Sequence, residues 1–382
     1  MAAGNRFDLN ELAGAFGDLG TLVPFVAAYI SVLGMDPSGI LLAFGSTLIL
    51  AGLIYRTPFP VQPMKAIGAA AVTQSGQMAV LSSSTVLAAG LVTGVLWLLL
   101  GMTGLARRLA RWVPRPTVRG VVMGLGFSFM LEGIRMMAQS PWIGAALLVI
   151  TLVMLARSRI PAMVVLLAVG VAIALVEQPD LVERLAAIRL SPHLPSFAWP
   201  TLAWNDLWVG AVFLALPQLP LTFGNGLISI AEENNRLFPD RPVSERGVAL
   251  STGLMNLWSS ALGGIPMCHG AGGMAGHVRF GARTGGASVM LGALLLAFGL
   301  FLGDSMALLF RLFPAAVLGV ILFLAGVQLA LNGNESGRDA GHGKADSFVV
   351  LTTAAFAIWN VGVAVVFSVA AYHACKRGWW RP

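Results

Sequence analysis

The sequence predicts an all-α polytopic membrane protein built from two inverted repeats. Three observations carry the prediction. Of 382 residues, 57% are hydrophobic and 11% charged, with a mean hydropathy of +0.81, whereas a soluble domain carries about a quarter charged residues. The apolar residues fall into about fourteen segments, seven on each side of a proline-rich stretch. Polar interruptions rich in proline and glycine recur at matching places in the two sets.

Crossing a bilayer takes about 20 apolar residues, fewer where a segment is broken or re-entrant. The first set lies near residues 12–34, 38–56, 62–79, 86–106, 118–137, 141–156 and 160–176. The second lies near 206–230, 246–263, 267–278, 286–303, 306–331, 346–358 and 360–374. Segments 62–79 and 267–278 are too polar and glycine-rich for simple spans. Residues 10–176 are thus the first repeat and 206–374 the second, within one membrane domain covering 1–382. The linker 177–205 holds Pro179, Pro192, Pro195 and Pro200, and its stretch Leu181–Ile188 has helical spacing suited to the membrane surface.

Basic residues orient the chain. With a cytoplasmic N-terminus and fourteen crossings, the inner loops hold 19 of the 24 Lys and Arg, among them Arg6, Arg56, Arg107, Arg108, Arg111, Arg241, Arg279 and Arg283. Outside fall Arg135, Arg184 and Arg189, while Lys65 and Arg311 lie within segments. That asymmetry places both termini inside. It also explains the formal charge of +7 without nucleic acid. Arg6, Asp8 and Glu11 leave no cleavable signal pattern. Cys268 and Cys375 have neither metal-ligand nor disulfide spacing.

The first deep interruption is Pro58-Phe59-Pro60-Val61-Gln62-Pro63-Met64-Lys65. Proline removes donors and forbids regular helix, and a mid-membrane lysine is costly unless it faces protein or water. Its counterpart is Gly263-Gly264-Ile265-Pro266-Met267-Cys268-His269-Gly270-Ala271-Gly272-Gly273. Each has a partner two segments upstream, Phe16–Pro24 with Asp18 and Thr21, and Pro217–Asn225 with Gln218. Paired broken helices meeting at the midplane mark inverted-repeat transporters, and seven segments per half make the halves antiparallel.

Half-helices that begin in mid-membrane aim unpaired N–H groups and a positive dipole end into the cavity. Lys65 adds a charge, His269 a donor, and Gln62, Gln218, Thr21 and Asn225 neutral hydrogen bonds. Pro63, Met64, Cys268, Gly270 and Gly272 complete the candidate binding surface. The pattern suits a small anion with several oxygen acceptors. Lys65 either faces that anion or snorkels to the inner interface, and His269 either donates to it or packs as a hydrogen-bonded residue. Asp18 has three roles open: pairing with Lys65, capping a helix, or carrying a proton. Glu132, three positions before Arg135, reads as a local ion pair, and Glu232 and Glu233 as solvated. Cys268 beside His269 lacks the orienting third group of a nucleophile–base pair. No catalytic residue, cofactor or metal is expected. The spacing Gly120-xxx-Gly124 marks a packing face, within or between chains.

Phe16–Pro24, Pro58–Ala66 and Pro266–Gly286 resemble the hallmark motifs of the molybdate transporter family, related to the sulfate permeases (SulP). The resemblance covers most of the chain, including Pro217–Leu221. The pairing of Pro-Val-Gln-Pro-Met-Lys with Cys-His-Gly-Ala-Gly-Gly is specific to that branch. It implies the seven-plus-seven inverted-repeat fold of the sulfate and nucleobase permeases. There segments 1–4 and 8–11 form a core, 5–7 and 12–14 a gate, and half-helices 3 and 10 face each other across the substrate. It further implies import of molybdate across the cytoplasmic membrane by elevator-like alternation, with coupled protons and a homodimer as further expectations. Sulfate or another oxyanion is the alternative cargo; a nucleobase is a weaker one. After Tyr372 about ten residues remain, leaving no room for the soluble C-terminal domain that many sulfate permeases carry.

Overall fold

The computed structural model describes residues 4–68, 81–105, 114–157, 162–188, 190, 192, 201–279, 281–310, 312–335, 344–359 and 361–380. The chain enters through α1 (Leu9–Ala15), where the Asp8 carboxylate accepts from the N–H groups of Asn10 and Glu11. A 3₁₀ turn at Phe16–Asp18 separates it from α2 (Leu19–Leu33). Helix α3 (Pro37–Tyr55) has Asp36 as N-cap and Pro37 in its first turn, and ends at Arg56 in the left-handed region. The extended pair β1 (Gln62–Pro63) follows, and helix resumes at Lys65. Helix α4 (Ser83–Thr103) opens with a Ser82/Thr85 capping box and closes at Gly104, φ 67°, a conformation that favours glycine.

The remainder of the first repeat is α5 (Arg115–Met137), α6 (Pro141–Arg157) and α7 (Ala162–Glu177), then the linker helix α8 (Asp180–Ala186). The second repeat runs α9 (Trp204–Leu237), α10 (Glu245–Ala261), β2 (Met267–Cys268), α11 (Ala271–Arg279), α12 (Gly286–Phe301) and α13 (Met306–Phe310). It ends with α14 (Ala315–Glu335), α15 (Lys344–Trp359) and α16 (Val361–Lys376). Four helices, α3, α4, α5 and α9, are long and apolar enough to cross a membrane unaided, judged by length and composition among the described residues.

Two segments differ from expectation. Residues 306–331 are two helices, since Pro314 cannot donate within a helix and the chain turns before it. Conversely, Pro217 and Pro220 do not interrupt α9. It stays helical throughout by widening into π turns at Gly210–Ala215 and Thr222–Ser229, which absorb the missing donors.

Each of the closest helix pairings joins one repeat to the other: α3 with α12, α4 with α10, and α5 with α14 and α15. Glycines set these contacts. A Cβ on Gly45 would lie 2.7 Å from the Gly292 carbonyl oxygen, and one on Gly292 2.6 Å from that of Gly45. Gly133 with Gly319 and Gly126 with Gly326 repeat the reciprocity between α5 and α14. In lipid, where apolar burial gives little drive, such close approach supplies the dispersion contact. Gly120 and Gly124 lie against Thr353, Ala354 and Ala357 of α15, so that packing face works within the chain.

The loops expected on one side converge. Asn5 donates to the Gly52 carbonyl, Arg6 N–H to Thr284, Thr57 to Asn234, and Arg241 to the Arg56 carbonyl. Glu11 is buried there, accepting from the N–H groups of Arg283, Thr284 and Ala287 and paired with Arg6 at 3.2 Å. From sequence Glu11 is only a polar residue near the N-terminus. It caps the entry to α12.

Candidate functional site

The two broken segments meet in a short antiparallel ladder. Gln62 opposes Cys268, Pro63 opposes Met267, and Met64 N–H donates to the Pro266 carbonyl at 2.9 Å. Prolines at 58, 60 and 63 keep the first strand extended. Each strand gives way to helix within a few residues, at Lys65 and at Ala271. Two helix N-termini therefore start from one buried ladder, and their dipoles favour an anion there. A two-residue ladder has no periodicity, so the sequence marks the two breaks as partners but not the strand register between them.

The first break is held by side chains of the second repeat. Ser288 Oγ donates to the Phe59 carbonyl at 2.9 Å. His269 Nδ1 bonds the Pro60 carbonyl at 2.7 Å, and Gln218 Oε1 accepts from Ala66 N–H at 2.8 Å. The Gln218 amide also donates to Thr222 Oγ1 at 2.9 Å. Gln218 was expected to contact the ligand oxygens. Its carbonyl instead caps the half-helix that Lys65 begins.

His269 was expected to donate to the ligand as well. Because Pro60 O can only accept, Nδ1 carries a proton; Nε2 bonds Ser251 Oγ at 2.8 Å, a hydroxyl that also lies 3.0 Å from the Val248 carbonyl. Tyr55 donates to that hydroxyl at 2.7 Å. The ring is packed by Phe59 and Tyr55, with centroids 4.8 and 5.9 Å away. In this arrangement both ring nitrogens bond protein, so His269 ties the two breaks together.

The second break is held mainly by its own repeat. Asn256 Oδ1 accepts from Met267 N–H at 2.9 Å, while Nδ2 donates to the Met267 and Thr252 carbonyls, each at 2.7 Å. Ser259 Oγ donates to the Ile265 carbonyl at 2.8 Å. Neither residue was singled out from sequence. The available signal was a cluster of polar residues, Thr252, Asn256, Ser259 and Ser260, inside an apolar segment.

At the start of α11, Gln62 and Asn225 come together with the glycines. A Cβ on Gly270 would fall 2.4 Å from Gln62 Oε1 and 3.1 Å from Asn225 Nδ2; one on Gly273 would fall 2.6 Å from Gln62 Nε2. The glycines are needed for that approach. Gln62, Pro63, Met64, Lys65, Cys268 and His269 are all buried, and Gly272 is half-buried on α11. The side chains of Asp18 and Thr21 lie outside what the structure describes. The backbone of their turn does reach the site's helix, as a Cβ on Gly276 would meet the Gly17 carbonyl at 3.0 Å. Glu132 pairs with Arg135 at 3.2 Å and Glu233 with Arg236 at 2.7 Å; Glu232 is exposed.

Residues 10–129 and 210–329 match a family model described as "Molybdate transporter of MFS superfamily". Molybdate transporter 2 of Arabidopsis thaliana is 33% identical over 407 residues, covering 94% of this chain and 85% of the relative. Molybdate transporter 1 of Chlamydomonas reinhardtii is 30% identical over 487 residues, covering 95% and 92%. Among solved structures, the transmembrane domain of the cyanobacterium bicarbonate transporter BicA superposes with a TM-score of 0.65 at 16% identity, covering 95% of this chain and 96% of that one. Murine Slc26a9, an anion transporter in the inward-facing state, gives 0.66 at 13% identity, covering 98% and 69%. At such identities these structures show the fold alone. That fold differs from what the MFS label suggests, since an MFS half holds six spans and each half here holds seven segments.

Proposed function

The chain belongs to the molybdate transporter family, and we propose that it imports molybdate across the cytoplasmic membrane. It is a multi-pass membrane transporter and not an enzyme. One observation carries the choice of site: Lys65 and two half-helix N-termini converge on a single buried ladder. A tetrahedral dianion there has a full positive charge and two dipole ends on one side of its balance. Backbone N–H groups opened by Gly270 and Gly272, and the amides of Gln62 and Asn225, supply its hydrogen bonds. The core of α1–α4 and α9–α12 would carry the anion as an elevator past a gate of α5–α7 and α13–α16, with both termini cytoplasmic. We place the assembled transporter as a homodimer.

Import of a dianion against an inside-negative potential costs about 4.6 kcal/mol per 100 mV, twice the unit-charge value. Proton symport would offset it. His269 and Glu132 are candidate carriers, each of which would exchange an existing partner for the proton, Pro60 and Ser251 for the first and Arg135 for the second. Asp18 is the other candidate. Uptake indifferent to an imposed proton gradient would remove coupling.

The test is labelled molybdate uptake into proteoliposomes. Lys65→Met and His269→Ala should each lose uptake while inserting normally, the first by removing charge and the second by releasing Pro60 from the second break. Uptake at the parent rate by both would overturn the site. Competition by sulfate, tungstate and selenate decides the cargo, and uptake blocked equally by sulfate would favour a general oxyanion carrier.

A further inference from the structure

We propose that Asn256 is a positioning residue for the carried anion, acting through the strand it holds. This rests on the ladder being the anion clamp. Asn256 is fully buried on α10, eleven residues before Met267 in sequence. Its carboxamide takes both main-chain groups of Met267, accepting at 2.9 Å and donating at 2.7 Å. The third bond, to the Thr252 carbonyl at 2.7 Å, anchors the amide to its own helix and fixes which end is nitrogen. Only a side chain with one acceptor and two donors in that geometry satisfies all three groups.

What Asn256 fixes lies directly before the site. Met267 pairs with Pro63, Cys268 with Gln62, and the next two residues are His269 and Gly270. Any slip of Met267 therefore moves the N-terminus of α11 against Lys65, and moves Gly270 away from the Gln62 and Asn225 amides. At the same spacing in the first repeat, eleven residues before Gln62, stands Ala51, a buried alanine with no amide to offer. Asn256, with Ser259 behind it, sets one jaw from within its own repeat, and the other jaw is set against it.

Cys268 provides a probe that does not need the ligand. It is buried, and Cys375 is the other cysteine of the chain. In a purified Cys375→Ala parent, the rate of Cys268 alkylation by N-ethylmaleimide reads the seating of β2. The affinity for molybdate is measured on the same protein. Asn256→Ala should raise the alkylation rate and the Kd, each about tenfold or more. Asn256→Asp keeps the acceptor but loses both donors while ionised. Relative to the parent at each pH, its defect should shrink on acidification, because a protonated carboxyl donates again. Thr252→Val is the control, equally buried one turn earlier, with a hydroxyl that donates to the Val248 carbonyl at 2.8 Å; it should behave as the parent.

Parent-like alkylation and affinity in Asn256→Ala would overturn the proposal. So would a pH-independent defect in Asn256→Asp, or an equal defect in Thr252→Val. Faster alkylation in Asn256→Ala, with no oxyanion bound by the parent, would instead sink the anion clamp while keeping the strand pin.

Discussion

The two breaks perform parallel roles with different means. From the shared ladder, which pairs Gln62 with Cys268 and Pro63 with Met267, helix resumes at Lys65 in one repeat and at Ala271 in the other. One half-helix thus begins with a charged residue and the other with an alanine that follows Gly270. Their supports differ too. Side chains of Gln218, His269 and Ser288 hold the first break from the opposite repeat. Asn256 and Ser259 hold the second from its own. Duplicated architecture does not require duplicated chemistry. One jaw is a preset frame; the other brings the charge and is fitted onto it.

The largest test of this division is at Gly270. Gly270→Ala places a methyl 2.4 Å from Gln62 Oε1, so the amide must leave. Uptake should fall by two orders of magnitude or more, with normal insertion, and near-parent uptake would show that close approach is dispensable. A middle-sized effect is expected at Gln218. Gln218→Leu strands the buried Ala66 N–H, which costs about 1–3 kcal/mol, roughly a fivefold to 150-fold loss in molybdate affinity if all of it falls on the bound state. A change confined to thermal stability would make Gln218 a packing residue rather than a cap on the charged jaw. Ser288→Ala should be the mildest, about 1 kcal/mol of unfolding free energy for one hydrogen bond, read as a small drop in melting temperature with uptake largely kept. If Ser288→Ala proved worse than Gly270→Ala, the division of labour would be reversed.

Much of the architecture was legible in sequence because membrane segments announce themselves by length and composition. Prolines at 60, 63 and 266 marked where helix had to fail, and the positive-inside count grouped loops that the fold then brings together. Gln62, Asn225 and Gly270 were singled out as chemistry and do assemble. The roles of Gln218 and His269 were not legible. Their types suit a ligand, but only three-dimensional placement shows that main-chain groups claim them. Asn256 and Glu11 went unread for a related reason: each bonds backbone far along the chain, and backbone partners leave no mark on sequence. The intact course of α9 through Pro217 and Pro220 was missed because a π turn has no residue signature.

The support lent across the repeats has a consequence for biosynthesis. Phe59 and the Ser288 that bonds it are 229 positions apart. At about 5–20 residues per second of synthesis, that separation is roughly 10–45 s. During that interval the first break has neither Ser288 nor, at first, His269 and Gln218 to take up its carbonyl and N–H groups, and bare backbone is not stable in lipid. The segment around Pro58–Lys65 therefore has to wait beside the translocon or at the membrane surface and enter last. A nascent chain arrested before Gln218 should leave a cysteine at Val61 open to a water-soluble thiol reagent, and release past Ser288 should close it. The first jaw to be made is then the last to be set.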